Sequence, residues 1–256
     1  MQDPIEQNEM LQINQEAWDN IAPRFYGKEA LPAYGPLTST EDELHLLDDV
    51  QGKRILEIGC GSGHSLAYLA NQGAGELWGL DMSSVQLEAA ARLHQELGVH
   101  SHLLCSPMEE NPGLPEHSFD LVLSLYALGW TVDLPRTLSL VASYLAPGGC
   151  FLFSWEHPVY RCLTYRDGHF LVHRSYHDET PYISPHWADG KPIVFHPRKI
   201  STYVNAVITA GLSIERLIEG DLRPEQAPAT AASPEQWYSL PRAQLIPTTM
   251  ILKARY

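Results

Sequence analysis

The sequence predicts an α/β fold: a doubly wound, three-layer α/β/α arrangement around a mostly parallel sheet. Two observations carry that prediction. Between Arg54 and Trp155, short apolar runs alternate with helical patterns, the rhythm of a parallel sheet with helices on both faces. The first run, Ile55-Leu56-Glu57-Ile58, ends in three glycines at alternate positions, Gly59, Gly61 and Gly63. Glycine lets the backbone turn sharply and approach a ligand closely, and a following helix start offers unpaired N–H groups.

The elements follow in order. Asn14 to Tyr26 carries Trp18, Ile21, Ala22, Phe25 and Tyr26 on one helical face, with Pro23 as an expected interruption. Leu31 to Thr40 is rich in Pro, Gly, Ser and Thr and reads as a loop. Thr40 with Glu43 forms a capping-box pattern that predicts a helix through Val50. Strands are expected at 54–58, 76–81, 102–105, 119–125 and 150–155. Phe119 to Leu125 is nearly all apolar, as a parallel strand buried on both faces requires. Between them, Ser83 or Ser84 caps a helix that Gly98 ends, and Leu134 to Leu145 forms another that Ala146-Pro147-Gly148-Gly149 stops.

The rhythm breaks at His157. The stretch 157–198 holds five prolines, many aromatics and six histidines. It is too long for an ordinary connection, and at this edge of the sheet such a segment is expected to shape a substrate pocket. Ile200 to Ala210 returns to helix, Leu212 to Ile218 to strand. Asp221 to Pro241 is a Pro/Ala-rich excursion before a last strand over Leu245 to Ala254.

With 256 residues and 44% apolar content, the chain can build one large domain. A net charge of −14, with no run among its 17 Lys and Arg, argues against binding nucleic acid or an anionic membrane. No apolar run reaches the roughly 20 residues that span a bilayer, and Met1 to Met10 is not a signal peptide. A cytoplasmic protein is therefore expected, as a monomer or homodimer. Cys60, Cys105, Cys150 and Cys162 are widely spaced, and three of them sit in or beside predicted buried strands. All four are expected to be reduced.

Asp81 ends the second strand, 22 residues beyond Gly59. An acid there can accept hydrogen bonds from both ribose hydroxyls of a nucleoside, or serve only the start of the next helix. Nicotinamide folds usually show Gly-x-Gly-x-x-Gly. Here the spacing is Glu57-x-Gly59-x-Gly61-x-Gly63. With Asp81, the strand Ser118 to Val122 and the turn Leu145 to Gly149, the chain resembles the class I S-adenosylmethionine-dependent methyltransferases. The stretch Trp18 to Tyr26 resembles the entry helix of their ubiquinone/menaquinone-biosynthesis-type subgroup.

The resemblance implies a Rossmann-like seven-stranded sheet with an antiparallel last strand, S-adenosyl-L-methionine as cofactor and a small-molecule acceptor. It implies one domain over 1–256: a helical lid (1–50), a cofactor-binding core (51–156), a pocket-forming insertion (157–198) and a C-terminal helix with two strands (199–256). The backbone at Gly59, Cys60, Gly61 and Gly63 would hold the methionine part and ribose, with Glu57 orienting the loop and the ligand ammonium. Asp81 would hold the ribose, Met82, Met108 and Glu109 would border adenine, and Ser124 would face the ligand through its backbone.

His157 follows the fifth strand, where a base could take a proton from the acceptor, or its ring could simply tie the turn. Tyr126 and Trp130 are candidate pocket walls or packing residues. Tyr26 could close over the sulfonium or act as a brace. His169, His173 and His177 are spaced by four, but Phe170 to Tyr176 has strand character, so no metal site is expected. Two other readings remain: a cofactor-binding protein that transfers no methyl group, and a nicotinamide-dependent oxidoreductase.

Overall fold

The computed structural model describes residues 5–27, 31–187 and 190–256. Helix α1 (Gln7–Phe25) precedes a short α2 (Glu41–Leu44). The core then alternates: β1 (Arg54–Ile58), α3 (His64–Asn71), β2 (Glu76–Asp81), α4 (Ser84–Leu97), β3 (Ser101–Cys105), β4 (Phe119–Leu125), α5 (Leu134–Tyr144) and β5 (Leu145–Glu156). Two hairpins follow, β6 (Leu163–Arg166) with β7 (His169–Val172), and β8 (Tyr182–Trp187) with β9 (Lys191–Phe195). The chain closes with α6 (Ile200–Thr209), β10 (Ser213–Glu219), α7 (Leu240–Ala243) and β11 (Thr249–Arg255).

Seven strands form one sheet in the order β3-β2-β1-β4-β5-β11-β10. Strands β1 to β5 pair in parallel, and β11 runs antiparallel to both β5 and β10. Side chains alternate between two helical layers, as the period of a strand demands. Ile55, Leu121, Leu123, Leu152 and Ile251 pack with Leu66 and Leu69 of α3 and Leu87 of α4. Leu56, Val122, Phe151, Phe153 and Leu252 pack with Leu138 and Val141 of α5 and Tyr203 and Val207 of α6. The order reverses at β1, with β2 on one side and β4 on the other. That switch opens a crevice at the C-terminal ends of these strands, where doubly wound sheets bind ligands.

Several local expectations are corrected. α1 runs on through Pro23 and ends two residues later, at Phe25. The helix begun at Thr40 stops at Leu44. Glu43 does accept a hydrogen bond from the Thr40 N–H (3.0 Å). However, the Glu41 carboxylate takes the N–H groups of Leu46 and Leu47, which a longer helix would have used, and His45 turns left-handed. Cys105 is exposed, while Cys60, Cys150 and Cys162 are buried; all four are free thiols.

α1 lies over the crevice and is tied down at both sides. Asn14 accepts from the Val194 N–H of β9 (2.8 Å), Gln15 donates to the Met82 carbonyl (3.0 Å), and Ser83 donates to Asp19. Among the described residues, no helix is long and apolar enough to cross a membrane, and no three His, Cys, Asp or Glu gather to hold a metal ion.

Candidate active site

A cavity of about 750 Å³ fills the crevice. Its walls come from the loop after β1, the ends of β2, β3 and β4, α1, residues 33–37, Pro228 and Tyr238. The glycine loop forms the first wall. Gly59 sits at φ +70°, and a Cβ there would lie 2.3 Å from the Ala127 Cβ, so only glycine lets the β1 and β4 exits close together. Gly63, at φ +75°, leaves room for the buried His94 ring. At Gly61 a Cβ would meet nothing nearer than Gln86 at 3.8 Å, so the backbone lies open to the cavity.

Asp81 organises this wall. Its carboxylate accepts from the Gly61 N–H (2.8 Å) and the Ser83 N–H (2.9 Å). Burial pushes its pKa up, and Asp19 adds to the rise, while these amides pull it back. Glu57 lines the cavity and is 2% exposed, and its Oε2 is buried with no hydrogen-bond partner among the described residues. Burial, with Asp81 beside it, pushes the Glu57 carboxyl up to about 8. Such a group is protonated at neutral pH unless a cation arrives beside it. Cys60 lines the same wall as a buried thiol held well above its usual pKa by burial.

Met82, Ser106, Met108 and Glu109 continue the cavity past β2 and β3. The Glu109 Oε1 accepts from the Thr131 hydroxyl and from the Val132 N–H (2.7 Å). It therefore staples the segment after β4 to the segment after β3.

The opposite half is aromatic. Tyr34, Tyr126 and Tyr238 line it, each with its hydroxyl engaged elsewhere. Tyr34 donates to Glu41, Tyr126 is bonded to Thr249 Oγ1 (2.8 Å), and Tyr238 donates to Glu156 (3.0 Å). Burial raises the pKa of all three. Tyr126 holds a left-handed φ of +54°, and Gly35 leaves the space its ring fills. Trp18 and Trp130 complete the wall with ring centroids 5.4 Å apart, edge to face.

A family model described as "Methyltransferase domain" matches residues 55–149. A solved structure, an S-adenosylmethionine dependent methyltransferase from Mesorhizobium loti, is 30% identical, with a TM-score of 0.69 over 83% of this chain and 95% of its own. The chain belongs to the class I S-adenosylmethionine-dependent methyltransferases. The aklanonic acid methyltransferase DauC of Streptomyces sp. (strain C5) is 28% identical over 76% of this chain and 91% of its own. A ubiquinone biosynthesis O-methyltransferase of Neisseria meningitidis serogroup C (strain 053442) is 32% identical over only 41% of this chain and 45% of its own.

The cofactor of this methyltransferase is S-adenosyl-L-methionine, and the residues fit it. An unpartnered buried carboxylate oxygen at Glu57 lies beside open glycine backbone and the Asp81 carboxylate. Those are acceptors for an ammonium and a ribose, on a backbone that a ligand can approach.

Of the residues expected at the site, Glu57, Gly59, Cys60, Gly61, Asp81, Met82, Met108, Glu109, Tyr126 and Trp130 all line the methyltransferase's cavity. Gly63 stands behind its loop as the residue before α3. Four expectations are corrected. Ser124 is fully buried and donates to the Ile58 carbonyl (3.2 Å), so the wall begins one residue later, at Leu125. Tyr26 is 41% exposed, packs near His64 and reaches Glu96 (3.4 Å), outside the cavity lining. His157 is buried away from the cavity, with Nε2 on Glu219 (2.9 Å) and Nδ1 accepting from the Val159 N–H (3.3 Å). Its ring ties the turn.

Fourth, no described residue of 157–198 lines the cavity. That insertion packs behind it, with Trp187 and Phe195 against Trp130. Tyr34, Pro36, Leu37, Pro228 and Tyr238 take the place expected of it. They come from two Pro-rich segments that read as plain loops. The available signal was tyrosine within proline-rich stretches, which marks a rigid aromatic wall as readily as a turn.

Proposed function

We propose that this methyltransferase methylates an oxygen of a small, apolar acceptor. The observation that carries the reading is the division of the cavity: carboxylates and open backbone at one end, aromatic rings with engaged hydroxyls at the other. The cofactor supplies an activated methyl group on a sulfonium. The protein's task is to orient two partners and exclude water.

In this reading Asp81 holds the ribose hydroxyls, and the backbone at Gly59, Cys60 and Gly61 hugs the methionine part, with Gly63 shaping the loop from behind. Glu57 receives the ammonium, and Met82, Met108 and Glu109 border adenine. Tyr34, Tyr126, Trp130 and Tyr238 bind the acceptor, and their faces favour a nearby positive charge. The two relatives support a small-molecule acceptor: one is named for aklanonic acid, the other as an O-methyltransferase of ubiquinone biosynthesis. The latter, with the Trp18 to Tyr26 segment, supports a place near that subgroup.

Calorimetric titration with S-adenosylhomocysteine, followed by methyl-release assays on phenols, carboxylates, amines and thiols, tests the proposal. Micromolar binding with turnover on an oxygen acceptor is expected. Turnover only on nitrogen or sulfur, or none on any acceptor, contradicts it.

A further inference from the structure

Resting on the oxygen-acceptor reading, we infer that the acceptor arrives already ionised, an apolar oxyacid whose carboxylate or acidic enol or phenol oxygen attacks without help from a protein base. Two observations point there.

The first is the inventory of proton carriers on the cavity wall. Among the described lining residues, the aromatic half offers only Tyr34, Tyr126 and Tyr238, and each hydroxyl is committed to Glu41, Thr249 or Glu156. The remaining carriers lie outside the aromatic half, with Glu109 tied to its border through Thr131. Asp81 is held by two amides, Glu109 by Thr131 and Val132, and Cys60 and Glu57 flank Gly59 on the β1 side. The His64 Nε2 accepts from the Gly27 N–H (3.0 Å). Among the described lining residues of the aromatic half, a neutral alcohol or weakly acidic phenol meets no carboxylate and no imidazole.

The second is the charge behind the aromatic wall. Tyr238 is bonded to Glu156, whose other oxygen pairs with Arg161 (2.8 Å). Arg242 lies next to this pair, 3% exposed, with its guanidinium 4.5 Å from the Trp237 ring and 5.2 Å from that of Tyr160. Its Nε and Nη1 have no hydrogen-bond partner among the described residues. One buried cation, Arg242, and one half-buried cation, Arg161, therefore stand around one carboxylate. The surplus positive charge sits in a poorly hydrated wall, where it acts over a longer range than in water.

The step then balances with no proton moved. A lone pair on the anionic oxygen forms the carbon–oxygen bond as the carbon–sulfur bond breaks. The electron pair of that bond stays on sulfur, turning the sulfonium into a neutral thioether and the acid into its methyl ester or ether.

The test combines binding and turnover on the full chain. Quenching of tryptophan fluorescence, which Trp18 and Trp130 on the cavity wall would report, measures 2-naphthoate against neutral 2-naphthamide in the presence of S-adenosylhomocysteine. The acid is expected to bind at least tenfold tighter. Arg242→Gln should reduce that preference severalfold, and Arg242→Lys should restore most of it. Methyl release should be at least tenfold faster on 2-naphthoate or on 2-hydroxy-1,4-naphthoquinone than on 2-naphthol, and the faster of the two names the acid as carboxylate or enol. Equal affinity for acid and amide, including no detectable binding of either, overturns the inference. So does turnover of 2-naphthol at the rate of the acids, which would leave the oxygen-acceptor reading standing. Failure of all oxygen acceptors would instead remove that reading itself.

Discussion

The two halves of the cavity are built in opposite ways. The glycine-loop half comes from residues 57–65 and 80–86, consecutive ends of neighbouring strands, and it presents backbone and carboxylates to the cavity. The aromatic half gathers residues 11, 18, 33–37, 125–131, 228 and 238 from across the chain, and it offers ring surface. A short motif suffices for the first because strand pairing already brings its parts together. The second exists only after β11 inserts beside β5 and the 221–241 segment folds back over the crevice.

The largest expected effect breaks the first half alone. Gly59→Ala must relieve a 2.3 Å contact with Ala127 while holding a φ of +70°. Overpacking and backbone strain together should cost about 2–4 kcal/mol of stability, read as a fall in Tm, and S-adenosylhomocysteine binding should be lost. Asp81→Ala comes next. It removes a carboxylate that accepts from the Gly61 and Ser83 amides and that the proposed function assigns to the ribose. Calorimetry should show cofactor affinity weaker by about 1–3 kcal/mol, with 2-naphthoate affinity little changed.

These parts of the first half were legible in the sequence because their signals are local. Three glycines, Asp81 and the apolar runs of β1 and β4 lie within or beside single elements; the parallel sheet followed from their rhythm, and its seven strands from the resemblance to the class I methyltransferases. Of the second half, only Tyr126 and Trp130 were legible, as candidate pocket walls after β4. Tyr238 earns its place through contacts with Glu156, 82 residues away, and Tyr126 through Thr249, 123 residues away. Composition also misled. The His- and aromatic-rich stretch 157–198 packs as hairpins behind Trp130, and His157 is spent on Glu219 and its own turn.

A pH titration sharpens the contrast, since the halves differ in ionisable groups. With its pKa raised to about 8 by burial, Glu57 carries a proton in the free protein at neutral pH. Binding the ligand ammonium would expel that proton. Cofactor affinity should therefore rise up to about tenfold per unit from pH 6 toward 8 and then level off. Glu57→Gln should flatten the curve. The same shift makes the free fold less stable as pH rises: the neutral carboxyl's contribution is complete below the unfolded pKa and is lost as pH climbs through 8. The smallest effect belongs to the aromatic half. Tyr238→Phe leaves Glu156 its bonds to Trp237 and Arg161. It should raise KM for the acceptor with a cost of about 1 kcal/mol, and leave S-adenosylhomocysteine affinity unchanged in calorimetry.

The most direct test is a crystal structure with S-adenosylhomocysteine bound. The account predicts both ribose hydroxyls within hydrogen-bond reach of Asp81, the ammonium beside Glu57, and the sulfur turned toward Tyr126 and Trp130. An adenosine lodged among Tyr34, Tyr126 and Tyr238, with Asp81 and Glu57 left without ligand contact, would contradict it.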